Sequence, residues 1–273
     1  MALTDIIYTT RQKLTELYDA IREKAGVTGT MTIDQATEAV ESIQTGGIDP
    51  KILKNLINGY GSYSEPIAYL DLNEILGSNV SILDYALYSR RCLRVVKLPH
   101  IDLDRAASCP IGQYAFTSCE NMTLYGDEIV AGTISKSAFS ACHEINPLRI
   151  IATTRIDEAA FKSCSSMTTP AIITPGALAT QCFRGCSNME RVWLDGRISS
   201  IYAQTAGGTG SVFYDCSSLT DIYTDATEKP SGWGQYFAYT SASNVATVHY
   251  GVSLEEYEAM DEGEPEPEEE EEG

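Results

Sequence analysis

The stretch ISKSAFSACHEI, residues 134–145, decides the fold, because its pattern returns on both sides of it. IGQYAFTSCENM occupies residues 111–122 and IDEAAFKSCSSM residues 156–167, and FRGCSNMERVWL follows at 183–194. The chain has six Phe, at Phe116, Phe139, Phe161, Phe183, Phe213 and Phe237. Five of them are followed three residues later by a cysteine: Cys119, Cys142, Cys164, Cys186 and Cys216. Random placement of six Phe and eight Cys in 273 residues would give roughly 0.2 such pairs, so the recurrence is a repeat and must be read as one. Successive Phe lie 23, 22, 22, 30 and 24 residues apart.

Alignment on the Phe shows what each position demands. Five residues before it stand Ile111, Ile134, Ile156 and Leu178; one before stand Ala115, Ala138, Ala160, Cys182 and Val212, small enough for a crowded spot. Six after it come Met122, Ile145, Met167, Met189 and Leu219, and nine after come Tyr125, Leu148, Pro170, Val192 and Ile222. A degenerate copy centres on Leu87 with Arg90 in the Cys place, and the last, on Phe237, has Thr240 there. About seven units of 22–30 residues thus run from roughly residue 65 to 258, each a short strand plus one tight turn of helix or 3₁₀. One such unit cannot bury its apolar side alone, but stacked units share a continuous core. The fold class expected is an α/β repeat solenoid preceded by a small helical region.

These units resemble the BspA-type leucine-rich repeat, whose pattern is Ile-Gly-x-x-Ala-Phe-x-x-Cys-x-x-Leu-x-x-Ile-x-Leu-Pro. LRVVKLP at 93–99 is similar to its Leu-Pro end, and FAYTSASNVATVHYGVSLEEY at 237–257 is similar to a closing unit, in which a strand precedes a short helix bearing Tyr. The resemblance implies a non-enzymatic binding or adhesion scaffold. Most units lack the Leu-Pro, and the unit between Phe183 and Phe213 is long.

Flanking regions differ in kind, giving an expected division into 1–60, 61–260 and 261–273. In the first, Leu3, Ile7, Leu14, Leu17, Tyr18 and Ile21 share a helical face. Thr32-Ile33-Asp34-Gln35 reads as a capping box for a second helix through Ile43, closed by Gly46-Gly47, and Asp49-Pro50 starts a third ending near Gly59. These helices bury too little alone, so they are expected to anchor the chain to another protein or to a copy in a homo-oligomer. The segment LYDAIREKAGVTGTMTIDQATEAVESI at 17–43 resembles N-terminal segments of tail-associated and fibre-like proteins of tailed bacteriophages. That resemblance implies a virion location, with other virion proteins as partners.

Charge is uneven. Of the formal −19, twelve Asp or Glu lie from Glu255 onward with no Lys or Arg, which leaves an ordinary acidic body of −7. Such a body lacks the basic stripe that nucleic-acid binding requires. The terminal DEGEPEPEEEEEG repels itself and buries nothing, so a disordered acidic tail is expected, with docking on a basic partner as its alternative role. No 18-residue apolar run exists to span a membrane, and the charged first 25 residues lack the apolar centre of a secretory signal.

No constellation for catalysis or for a cofactor emerges. Cys182 and Cys186 are four apart, but each occupies a repeat position explained by packing, and no CxxC pair or Cys/His cluster completes a zinc site. Stacked thiols could approach disulfide distance, although reduced thiols are the default without export. His100, His143 and His249 stand near no nucleophile motif, and Gly207-Gly208-Thr209-Gly210-Ser211 lacks the Lys-Ser/Thr of a phosphate loop.

Binding is the remaining chemistry. Strand alternation places Phe+8 and Phe+10 away from the core when Phe+9 points in. The +10 column reads Lys97, Gly126, Arg149, Ala171, Trp193 and Tyr223, and the +8 column reads Val95, Leu124, Pro147, Thr169, Arg191 and Asp221. Arg149, Arg191, Trp193 and Tyr223 are therefore expected to share an exposed sheet face, the composition that binding hot spots use, unless Trp193 packs under the long loop of its own unit. The function expected is host-surface adhesion by a phage tail, baseplate or head fibre, toward a glycan or protein. The alternative is a cytosolic protein-interaction scaffold.

Overall fold

The computed structural model describes residues 67–72, 81–203 and 210–260. The expected helices of 1–60, the acidic tail and Gly207-Gly208-Thr209 lie outside them. The described chain is a parallel β-solenoid of about seven turns with little helix. On one side run β1 (Ile67–Asp71), β2 (Leu93–Lys97), β3 (Thr123–Leu124), β4 (Glu128–Ile134), β5 (Arg149–Ile156), β6 (Ala171–Ile173), β8 (Arg191–Leu194), β10 (Asp221–Thr224) and β11 (Thr247–Tyr250). A second row contains β7 (Ala177–Leu178) and β9 (Ser200–Ile201). One six-residue helix, α1 (Leu254–Ala259), closes the array.

All pairings between named strands are parallel and join one coil to the next. The Phe−5 column is a physical ladder: Ile82 pairs with Ile111, Ile111 with Ile134, Ile134 with Ile156, and Ile156 with Leu178. It continues through Ile201 to Trp233.

The Phe column fills the interior. Phe116, Phe139, Phe161, Phe183 and Phe213 are fully buried and stack with ring centroids 4.9, 5.3, 5.3 and 5.9 Å apart. Phe237 leaves the stack and meets Trp233 edge-on at 5.0 Å, because Trp233 takes the Ile place in the closing coil. The small Phe−1 residues and the Phe+6 residues are buried beside them.

The turn around Phe116, Phe139, Phe161 and Phe183 is not the helical turn expected. Residues two before and two after each adopt left-handed φ: Tyr114 and Ser118 around Phe116, Ser137 and Ala141 around Phe139, Ala159 and Ser163 around Phe161, Gln181 and Gly185 around Phe183. For side chains other than glycine this conformation costs about 1–2 kcal/mol per residue. What sustains it is the coil above. Tyr114, Phe116 and Ser118 donate their N–H to Lys136, Ala138 and Ser140 of the next coil, while Ala115, Thr117 and Cys119 bond locally to Gly112, Tyr114 and Phe116. The same alternation repeats around Phe139, Phe161 and Phe183. A regular helix would turn every N–H along its own axis and leave the stack unbonded.

The cysteines complete the ladder. Each repeat thiol approaches the carbonyl of the Phe-position residue one coil earlier: Cys119 to Leu87 at 3.0 Å, Cys142 to Phe116 at 3.0 Å, Cys164 to Phe139 at 3.2 Å, Cys186 to Phe161 at 3.2 Å and Cys216 to Phe183 at 3.0 Å. That carbonyl already accepts a backbone N–H, so the thiol occupies its second lone pair. All eight cysteines are free and buried.

Candidate functional site

The outward residues of the strand side form two regions separated by a break in the sheet. β3 pairs back to β2, whereas β4 of the same coil pairs forward to β5, so β1–β3 and the remaining strands form separate sheets. Between β3 and β4 lie Tyr125, Gly126 and Asp127, and Gly126 has φ +100°, which a Cβ would disfavour.

This break corrects the expected register. Leu124 pairs with the inward Val96 and packs against the core, so Tyr125 turns outward and is 62% exposed. Leu148 is likewise exposed, and the inward places of these coils go to Ile129 and Ile150. Leu124 stands eight residues after Phe116 where its partner Val96 stands nine after Leu87, and in a strand one step exchanges the faces; in the coil of Phe139 the register holds, and Leu148 lies just before β5. Gly126 consequently leaves the outward row, where Glu128 replaces it beside Arg149. Pro147, expected outward, is buried.

Across the C-terminal coils the expected column holds. Arg149, Ala171, Trp193, Tyr223 and His249 are in register on consecutive strands, with Arg191 beside Asp221 two residues earlier. Their exposure does not hold. Trp193 is 4% exposed, and among the described residues its cover is α1. Gly251, at φ +75°, turns the chain out of β11, and Val252 bonds to Thr224. Ser253 and Glu256 then form a reciprocal capping box that starts α1.

Tyr257 is buried against Ala171 and Trp193; its ring lies 5.4 Å from that of Tyr223 and 5.5 Å from the guanidinium of Arg191. Trp193 Nε1 donates to the Val252 carbonyl at 2.9 Å. Arg149 grips Glu258 through Nε at 2.5 Å and Nη2 at 2.7 Å, and its Nη1 reaches Glu128 at 3.0 Å. Hydrogen bonding from Arg149 lowers the Glu258 carboxyl below its ordinary range and raises the guanidinium. His249 stacks on Tyr223 at 4.4 Å and bonds Asp221 at 2.7 Å, which lowers the Asp221 carboxyl. The four candidate residues therefore form the seat of α1.

Beside that seat is an open cleft of about 450 Å³, lined by Asp127, Glu128, Leu148, Arg149, Thr169, Tyr257 and Glu258. Beyond it, on the N-terminal coils, no described residue covers the outward face. Tyr69, 45% exposed, meets Tyr125 edge-on at 5.8 Å. Lys97 lies 5.7 Å from the Tyr125 ring and bonds Asp71 at 2.9 Å, and Arg94 on the same strand is exposed. The aromatic signal at Tyr69 was missed because β1 precedes the first Phe-like anchor, and that at Tyr125 because it was assigned inward.

The repeat thiols sit in a different environment. Burial raises the thiols of Cys142, Cys164, Cys182 and Cys186 well above their ordinary value and takes Cys119 to about 12. Thiols held protonated in this way are poor nucleophiles and poor ligands. Among the described residues no group of three His, Cys, Asp or Glu is placed to hold a metal ion.

Coil-to-coil parallel pairing, one Phe stack and one thiol ladder define a β-solenoid repeat protein. The profile of the BspA type leucine rich repeat region matches residues 80–220 and 110–255, with six copies, and the chain belongs to that family. No curated protein and no solved structure gives a significant match. A leucine-rich repeat domain of this kind suggests a protein-interaction role, and such solenoids are typically non-enzymatic.

Proposed function

We propose that the solenoid is a non-enzymatic adhesion module that binds its partner on the open N-terminal half of the strand side and in the adjoining cleft. The observation that supports this reading is the cluster of Tyr69, Tyr125 and Lys97, where two exposed aromatic rings and a cation stand together on the strand side. Rigid aromatics give contact area at small entropic cost, which is why they serve as anchors. Of the four residues first expected to bind, Arg149 is retained, because its guanidinium lines the cleft. Trp193, Arg191 and Tyr223 would reach a ligand only after α1 leaves them.

The finer reading is that the chain is a virion component of a tailed phage, a tail, baseplate or head fibre, displaying the array to a host-surface glycan or protein. Residues 1–60 would attach it to other virion proteins or to copies of itself. This rests on the resemblance of residues 17–43 to phage tail-associated segments. Two measurements separate the layers of the proposal. Tyr69→Ala with Tyr125→Ala should abolish adsorption of the purified protein to its host surface while leaving the fold intact. Deletion of residues 1–60 should leave adsorption intact and prevent incorporation into particles. Unchanged adsorption by the double variant would refute the binding face, and normal incorporation of the truncated chain would refute the anchor.

A further inference from the structure

We infer that the C-terminal end of the solenoid is the contact of a two-fold dimer, in which β11 pairs antiparallel with β11 of a second copy. The first support is an open strand edge. β11 is the last strand of its sheet, so among the described residues no strand lies on its far side. Thr247 and Gly251 donate their N–H groups back to Thr220 and Ala226. Alternate residues of a parallel strand serve the same neighbour, so the N–H and C=O of Val248 and Tyr250 point away from β10. Just before them Ala246 bonds to Ala238 of the closing hairpin, which confines the opening to Val248 and Tyr250. α1 does not cover it either: the helix turns back over the outward face and brings Glu258 to Arg149 on β5, four strands away. A bare edge is a template for another strand.

The second support is what surrounds the edge. No Asp, Glu, Lys or Arg stands between Lys229 and Glu255, in a chain of net −19. That stretch holds Tyr236, Tyr239 and Tyr250; Val245 is 54% and Tyr250 38% exposed, and Tyr236, Tyr239 and Val248 are half-buried. Depletion of charge with enrichment of aromatics is the compositional mark of an interface centre. It also selects the occupant. Two copies of so acidic a chain repel wherever charged surfaces approach, and this end brings no like charges together. The faces then fix the register. Val248 packs against the core and His249 lies in the outward column, and inward residues must oppose inward ones. With His249 opposite its own copy on the two-fold axis, Val248 faces Tyr250 of the second copy, and each such pair exchanges the backbone bonds left open by β10. The contact lies at the other end of the array from Tyr69 and Tyr125, so it does not rest on the binding face proposed above.

All eight native cysteines are buried, so in the full chain a nitroxide labels Thr247→Cys, an exposed position, alone. Sedimentation should show a dimer, and pulsed dipolar spectroscopy should find the two labelled Cα positions about 15 Å apart, as four residues of offset on neighbouring strands require. A head-to-tail stack would hold them at least one array length apart, roughly 30 Å for about seven turns. Association through residues 1–60 would likewise leave the labels at the far ends of the dimer. Val245→Lys with Tyr250→Lys sets like charges across the axis on two exposed positions and should abolish the short distance, while unchanged Trp233 emission shows that the closing coil is intact. A chain that stays monomeric at every concentration overturns the inference and assigns no second copy to the edge. So does a dimer whose labels lie an array length apart, or a short distance that survives both lysines.

Discussion

The two halves of the strand side share one repeat and one backbone ladder, yet they end in opposite states. On the C-terminal coils Trp193, Tyr223 and Arg191 lie under α1, and Tyr257 is buried among them. On the N-terminal coils Tyr69 and Tyr125 stand open beside Lys97. Aromatic residues on an outward column therefore say only that something apolar is to be covered. On one half the chain supplies the cover itself. On the other no described residue does.

The comparison can be broken at its common base. Phe161→Ala, in the middle of the stack, should cost about 3–5 kcal/mol, the range for a buried aromatic truncated to alanine. Denaturant unfolding would measure it, and a neutral result would refute the shared core. Tyr257→Ala should cost less, about 2 kcal/mol, since it uncovers a surface layer rather than the interior. It should also shift Trp193 emission to the red while Trp233, buried under Ile198 and Phe237, stays unchanged. An unshifted spectrum would mean that α1 is not what buries Trp193.

Cys164→Ala should cost about 1 kcal/mol for the lost thiol bond to the Phe139 carbonyl and the small void. In the unaltered protein, thiol reagents should react with the repeat cysteines only as the chain unfolds.

Weaker still is the ionic clasp of α1. Glu258 and Asp221 have carboxyl groups depressed in the folded state, so their contribution is present above the unfolded value of about 4 and fades as pH falls through the folded one. Acidification should thus loosen α1 before the core, visible as a red shift of Trp193 emission ahead of global unfolding. Glu258→Gln should imitate it at neutral pH at a cost below about 1 kcal/mol, because the pair is partly exposed and screened. The smallest effect belongs to the open half. Tyr125→Ala should change stability by no more than about 0.5 kcal/mol, as for an exposed side chain.

Much of this was legible before any coordinates. The Phe and Cys columns, the Ile ladder and the +10 row of Arg149, Ala171, Trp193 and Tyr223 are all set by a period near 22 residues, and a period is a property of sequence alone. Each coil must present the same atoms to its neighbours, so the repeat specifies the stack. Even the closing helix bearing Tyr257 follows from the resemblance of its segment to a family terminus.

Three features needed the tertiary structure. The left-handed turns at Tyr114, Ser118, Ser137 and Ala141 have no local signal, since Tyr, Ser and Ala do not favour that φ; only the N–H acceptors of the next coil make it stable. The break at Gly126 and the outward turn of Tyr125 depend on a phase shift between turn and strand, which a fixed offset from Phe116 cannot register. The fate of the outward face depends on a helix attached some 30 to more than 100 residues later, at Tyr257 and Glu258. A sequence period fixes what points outward from each coil, but what then lies upon it is set by where the rest of the chain goes.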